Sequence, residues 1–311
     1  MNLSLMLLEQ ILVMTVYILF GFLIVKFHIL KGTDSSVISA LVLFIISPAL
    51  ILDSFQVSFS LEKMYGFLLA VLASVLMHLL FLLFTFGVRK LLPLNEVEGA
   101  SIIYSNCGNL LVPLIGAILG KEYVLYCSAF MAVQNVLLWT HGAYILGGRS
   151  AVNPRKIITN PNIIAMILGL ILFFTRIRLP GILGVAITKT GACIGPVSMM
   201  VIGILIASAD LKAVFTNRRS LLICFMRLIA IPLLTILMLW LTRIPYLIDQ
   251  GPKVLYVSFL ASAAPTAVNV TQLSNLYGND SVLAGSINIM CVFLCILTMP
   301  LMTAVYQHVF F

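Results

Sequence analysis

Charge is what this sequence has least of. Of its 311 residues only 9% are Asp, Glu, Lys or Arg, while 62% are hydrophobic. A soluble domain carries about a quarter charged residues, so there is too little polar surface here to cover a water-soluble globule. Carboxylates are scarcest: none occurs between Glu98 and Lys121, or between Lys253 and Asp280. Exchange of protons for cations across a membrane ordinarily uses carboxylates inside the spans, and their scarcity weighs against a cation–proton antiporter. The chain also lacks a His-Glu-x-x-His zinc motif, paired aspartates, Gly-x-Ser-x-Gly and a nucleotide-binding glycine loop. Those gaps speak against an intramembrane enzyme, a direct role for ATP and any bound cofactor. The six cysteines form no Cys-x-x-Cys pair and sit in apolar stretches, as small packing residues do. No basic region precedes the first apolar stretch and no small-residue cleavage site precedes Lys26, so that stretch is expected to remain as a span.

What is present comes in blocks. Residues 35–52, 64–88, 99–120, 123–148, 157–175, 190–209, 254–279 and 281–311 contain no Asp, Glu, Lys or Arg. Each is near or above the ~18–20 residues that cross a bilayer as helix. Residues 3–26 and 220–242 are similar but carry Glu9 and Arg227. The expectation is an all-α membrane protein of ten transmembrane helices. The net charge of +8 does not indicate nucleic-acid binding, because the basic residues sit at span ends. Lys26, Lys31, Arg89, Lys90, Arg149, Arg155, Lys156, Lys212, Arg218 and Arg219 fall in the odd loops, and Lys63, Lys121, Arg176, Arg178, Lys189, Arg243 and Lys253 on the other face. The bias puts the odd loops in the cytoplasm and both termini outside.

The basic loop 149–157 divides the chain into five spans over 1–148 and five over 158–311. An odd number per half forces the halves to insert with opposite topology, so a shared fold would be an inverted repeat. Gly21 and Gly169, Pro48 and Pro196, and Glu62 and Asp210 recur at one offset; Gly120 and Gly278, and Glu122 and Asp280, recur at another.

The most polar stretches inside any span lie in spans 4 and 9. Span 4 holds Asn106, Gly108, Asn109 and Pro113; span 9 holds Pro265, Thr266 and Asn269. Proline removes a backbone donor and glycine eases departure from helical geometry. Freed backbone groups are tolerated at membrane depth only beside protein or an aqueous cavity. Each break would leave a half-helix whose N-terminal amides face the centre and attract an anion. Matched interruptions in two halves are a pointer to a transporter site; in isolation, either proline would merely kink a packed helix.

These residues resemble the auxin efflux carrier family, which includes bacterial organic-acid permeases and the plant PIN carriers. Asn106-x-Gly108-Asn109 with Pro113 is similar to the family's first crossover, and Ala263-Ala264-Pro265-Thr266 with Tyr277-Gly278 to its second. Gln134-Asn135 ahead of Trp139, Pro161-Asn162, Leu179-Pro180 and Gly195-Pro196-Val197-Ser198 follow in family order. Plant members usually have Pro-Asn where this chain has Gly108-Asn109, and often a long central loop; the differences favour a bacterial-type member and speak against auxin itself. The resemblance implies two inverted five-helix repeats with helices 4 and 9 crossing, and a scaffold of helices 1, 2, 6 and 7. Helices 3–5 and 8–10 would form the transport part, with elevator-like motion and a homodimer. It also brings Gln134 and Asn135 near the crossover, where neutral amides would donate to a carboxylate.

The function expected is therefore a secondary carrier in the cell membrane for a small organic anion, such as a dicarboxylate or an auxin-like aromatic acid, moving it outward. A cation- or proton-coupled carrier of similar fold is the alternative, and a channel would be told apart by its lack of counterflow. Arg227, the one formal charge well inside a span, would either attract an anionic substrate from the cytoplasmic side or, only eight residues past Arg219, snorkel toward the basic surface. His78 and His141 are either proton relays or interhelix hydrogen-bonding groups. Asp53 ends span 2 near the outer face, and Glu62 and Asp210 lie near membrane surfaces.

Overall fold

A computed structural model describes residues 3–152, 155 and 158–311; Lys156 of the central loop lies outside the described residues. Those residues are helical almost throughout, without a strand. In chain order the helices are α1 (Leu3–Lys26), α2 (Gly32–Ser54), α3 (Leu61–Leu91), α4 (Glu96–Ile103), α5 (Cys107–Ile118), α6 (Lys121–Gly147) and α7 (Pro161–Thr175). They continue with α8 (Gly181–Ser208), α9 (Leu211–Thr216), α10 (Arg218–Thr242), α11 (Gly251–Ala263), α12 (Val268–Leu276) and α13 (Ser281–Phe310). Seven of these, α1, α2, α3, α6, α8, α10 and α13, are long and apolar enough to cross a membrane, while α5 and α7 are apolar but shorter. The expected span 4 is divided between α4 and α5, and span 9 between α11 and α12.

Prolines leave a repeated mark on the helices. π-Helical turns at Val42–Ile46, Cys107–Leu111 and Met226–Ala230 each end two residues before a proline, namely Pro48, Pro113 and Pro232. A proline ring clashes with the carbonyl one turn back and gives it no N–H. Widening the preceding turn accommodates both defects without breaking the helix.

The helices gather into two bodies. In the first, α1 packs along α8, and α2 packs on α7 and α8. Glycines set the closeness: a Cβ at Gly21 would strike the Met200 backbone, one at Gly203 the Ile18 backbone, and one at Gly169 the Phe55 ring. Gly21 and Gly169 are a pair matched between the two halves, and each seats its helix against a helix of the opposite half. In the second body α3 packs on α6 and α11, and α13 on α10 and α12. The largest buried cluster runs through this second body, around Met77, Phe81, Phe130, Phe259 and Tyr306.

Candidate functional site

The backbone leaves helical geometry at Tyr104–Asn106 and again at Ala264–Ala267. The two extended pieces cross antiparallel and bond to each other. Asn106 N–H donates to Pro265 C=O at 2.8 Å, and Ala267 N–H donates to Tyr104 C=O at 3.0 Å, making a single bridge between Ser105 and Thr266. The middle residue of each piece is held by an amide from the next helix of its own half. Gln134 on α6 accepts from the Ser105 N–H and hydroxyl, both at 2.9 Å, and donates to the Ser105 C=O at 2.8 Å. Asn288 on α13 donates to the Thr266 C=O at 2.8 Å. The backbone groups freed by the breaks thus find partners inside the protein, as the low-dielectric surroundings require.

Beside this crossing, between the two bodies, lies a small cavity that opens in part to solvent, with about 60 Å³ of space for water-sized molecules. Asn106, Gly108, Asn109, Gln134, Asn135 and Asn269 all line it. Pro113, Pro265 and Thr266 do not: Pro113 abuts Gly195 of α8, Pro265 supplies a carbonyl to the bridge, and Thr266 is buried at its centre. Gln134 reaches the wall, but both ends of its amide are engaged with the Ser105–Cys107 segment. By contrast, the side-chain amides of Asn109, Asn135, Asn269 and Gln272 have no hydrogen-bond partner among the described residues. Asn106 is 4% exposed and its Nδ2 is unpartnered. Across the cavity, Asn162 of α7 and Ser198 of α8 are equally buried with Oδ1 and Oγ unpartnered. Ser39, Ser47, Asn162, Ser198 and Gln272 were not singled out from sequence as site residues. Scattered polar residues within apolar blocks were the available signal, but ordinary helix-to-helix hydrogen bonds produce the same pattern.

The N-terminal turns of α5 and α12 both begin on this cavity wall, at Cys107 and Val268. The first amides of a helix have no partner within it, and the aligned peptides make that end electropositive. The lining contains no ionised side chain. Its chemistry is that of neutral donors and acceptors around two positive helix ends.

Arg227 does not snorkel. It is fully buried, and its guanidinium donates to Ala264 C=O at 3.1 Å, Ile102 C=O at 3.2 Å and Ala261 C=O at 3.4 Å, lying 5.9 Å from the Phe81 ring centre. It lies within the π turn at Met226–Ala230. His141 faces the Tyr104 hydroxyl at 2.8 Å, and His78 bonds the Ser74 carbonyl at 2.7 Å while packing on Phe130. Asp53 is buried, bound to Lys121 at 2.7 Å and to the Thr188 hydroxyl. This cluster ties α2 and α8 of one body to the start of α6 in the other, at the end of α2 remote from Ser39. Asp210 caps α9, and Glu62 lies in the first turn of α3.

A family profile described as membrane transport protein matches residues 6–153 and, a second time, residues 150–303. The same domain therefore occurs twice, and the two occurrences meet at the loop after α6. A search of curated proteins returned no match.

Proposed function

From the premise that this chain belongs to the auxin efflux carrier family of membrane transport proteins, we propose that it is an elevator-like secondary carrier exporting a small organic anion. A dicarboxylate or an auxin-like aromatic acid is the substrate class. The observation that carries the anion is the cavity itself: two helix N-termini, one from each repeat, open onto a wall of free amides with no carboxylate. Such a wall attracts negative charge and offers a carboxylate several N–H donors without a competing anion.

The ten spans of this reading are α1, α2, α3, α4–α5, α6, α7, α8, α10, α11–α12 and α13, in two inverted sets of five. The body holding α1, α2, α7 and α8 is the scaffold, the other is the moving part, and the scaffold forms the homodimer. With both termini outside and the odd loops in the cytoplasm, the wall residues Ser39 on α2 and Asn162 on α7 lie in the cytoplasmic half. Asp53, Lys121 and Thr188 then close the outer side. This is a carrier facing the cytoplasm, loaded from within and driven outward by a negative-inside potential. The same donor set gives no support to a cation site.

Counterflow of labelled succinate and phenylacetate in proteoliposomes tests the proposal. Saturable exchange of one of them, lost in Asn109→Ala and Asn269→Ala variants that keep the wild-type unfolding temperature, is expected. Intact exchange in both variants overturns the site; flux without counterflow indicates a pore.

A further inference from the structure

Crossing segments create an electrostatic difficulty. The bridge places the C-terminal end of α4 beside the start of α12, through Tyr104 C=O and Ala267 N–H. It likewise places the C-terminal end of α11 beside the start of α5, through Pro265 C=O and Asn106 N–H. Each electropositive end facing the cavity therefore has an electronegative end within a few residues. Left alone, the two signs would largely cancel at the cavity wall.

Arg227 removes the cancellation. Its three donor nitrogens reach Ile102 C=O near the end of α4 and Ala261 and Ala264 C=O at the end of α11, so one cation binds both negative ends. The guanidinium is 0% exposed and has no carboxylate partner: the ion pairs among the described residues are Lys63–Glu122, Lys121–Asp53 and Arg219–Glu98. Glu98, one turn before Ile102, is already bound by Arg219. A guanidinium stays protonated at physiological pH, so the charge is fixed. It sits on α10, which packs on α3, α4, α11 and α13, the helices that hold the crossing.

We infer that Arg227 is the specificity-determining charge of the carrier: acting through the two crossing segments, it makes the empty moving site net positive and the site loaded with a monoanion neutral. The inference rests on the carrier reading above and assigns its charge-selecting group. Arg227 is a positioning residue, since it lies behind the wall and touches no substrate. It follows that the return of the empty carrier, not the passage of the loaded one, moves charge when the cargo is a monoanion.

The test uses purified full-length protein in proteoliposomes, with the wild type, Arg227→Lys and Arg227→Met compared. One readout is the preference for phenylacetate over the isosteric, uncharged phenylacetamide as inhibitors of phenylacetate counterflow. A second is the transient charge displaced by a voltage step with no substrate present. Loss of a unit charge behind the wall, worth about 1–2 kcal/mol at an effective dielectric of ~20 for a separation on the order of 10 Å, is expected to lower the preference about tenfold in Arg227→Met. The substrate-free charge movement should disappear with it. Lysine keeps the charge but lacks the three-armed fork, so Arg227→Lys should retain both the preference and the charge movement at a reduced rate. A purely structural role predicts that Lys and Met variants lose rate alike with the preference unchanged, and that result overturns the inference. Where Arg227→Met does not fold, an Arg227→Lys variant with altered preference overturns it equally. Absence of counterflow in the wild type counts against the carrier reading instead.

Discussion

In the elevator-like carrier proposed above, replacing Asp53 by Asn should tip the balance between its two orientations. Asp53 receives the Lys121 ammonium at 2.9 Å on Oδ1 and 2.7 Å on Oδ2, and the Thr188 hydroxyl completes the cluster. The Asp53 side chain is 11% exposed and that of Lys121 53% exposed, so water screens one partner and scarcely the other. A pair of this kind lies between the exposed limit of ~1 kcal/mol and the ~3–5 kcal/mol cost of breaking a buried one. A working figure is about 1–2 kcal/mol. Because the cluster joins the two bodies, it stabilises only the orientation in which they are seen, and its loss shifts the equilibrium about five- to thirtyfold toward the other. Asparagine preserves shape and still accepts from Thr188, which confines the change to the charge. A single cysteine at Asn109 on the cavity wall, in a background with all six native cysteines replaced, the wall residue Cys107 and the exposed Cys193 included, reports orientation by its alkylation rate. A membrane-impermeant maleimide applied from outside should label Asp53→Asn and Lys121→Met five- to thirtyfold faster than the parent, and the double variant no faster than either single one. Unchanged outside labelling in both variants, or additive effects in the double variant, would refute the latch.

Three further outcomes follow from the same geometry. Asn106→Asp places a carboxylate where an unpartnered amide donor faces the cavity, and should raise the counterflow KM for an anion more than tenfold while leaving the unfolding temperature within a few degrees. Gln134→Ala removes the bonds that hold Ser105 and leaves a buried N–H and C=O unmet; a loss of about 2–4 kcal/mol is expected, read as a lowered thermal midpoint in detergent, and Asn288→Ala should lose about half as much. Gly203→Val drives a side chain into the Ile18 carbonyl, so the α1–α8 seam should open and the yield of folded protein collapse, whereas Gly87→Ala, with open space around it, should be neutral.

Much of the architecture was legible because hydrocarbon imposes simple rules. Uncharged blocks marked the long helices, and Pro and Gly beside amides marked both breaks. Pairings at long sequence separation were not legible. Gln134 was expected as a donor to substrate, yet its geometry engages it with Ser105, while its counterpart Asn288 carried no signal that set it apart from other polar residues in spans. For Arg227 both a substrate-attracting charge and a snorkelling one were legible, because eight residues is a short reach for a flexible stem; the structure buries it among the Ile102, Ala261 and Ala264 carbonyls. Asn162 and Ser198 reach the cavity only because α7 and α8 pack around α2, a tertiary fact that no local pattern encodes. Conversely, Pro113 and Pro265 stood out in sequence but act through the backbone they distort, away from the cavity wall.

The bridge between Ser105 and Thr266 also constrains the order of assembly. Its two hydrogen bonds pair residues from opposite halves of the chain, so the first break is translated long before its partner exists. At about 5–20 residues per second, the wait for some 160 residues is roughly ten to thirty seconds. Through that interval the Asn106 amide and the Tyr104 carbonyl are without their final partners, at a cost of several kcal/mol each if placed in hydrocarbon. The N-terminal repeat is thus an unfinished object as it leaves the ribosome, and the element that completes it arrives from the second copy of the same domain. The two copies are obligate chaperones of one another: separated genetically, each should be degraded, and co-expressed as two chains they should recover a folded, protease-resistant whole.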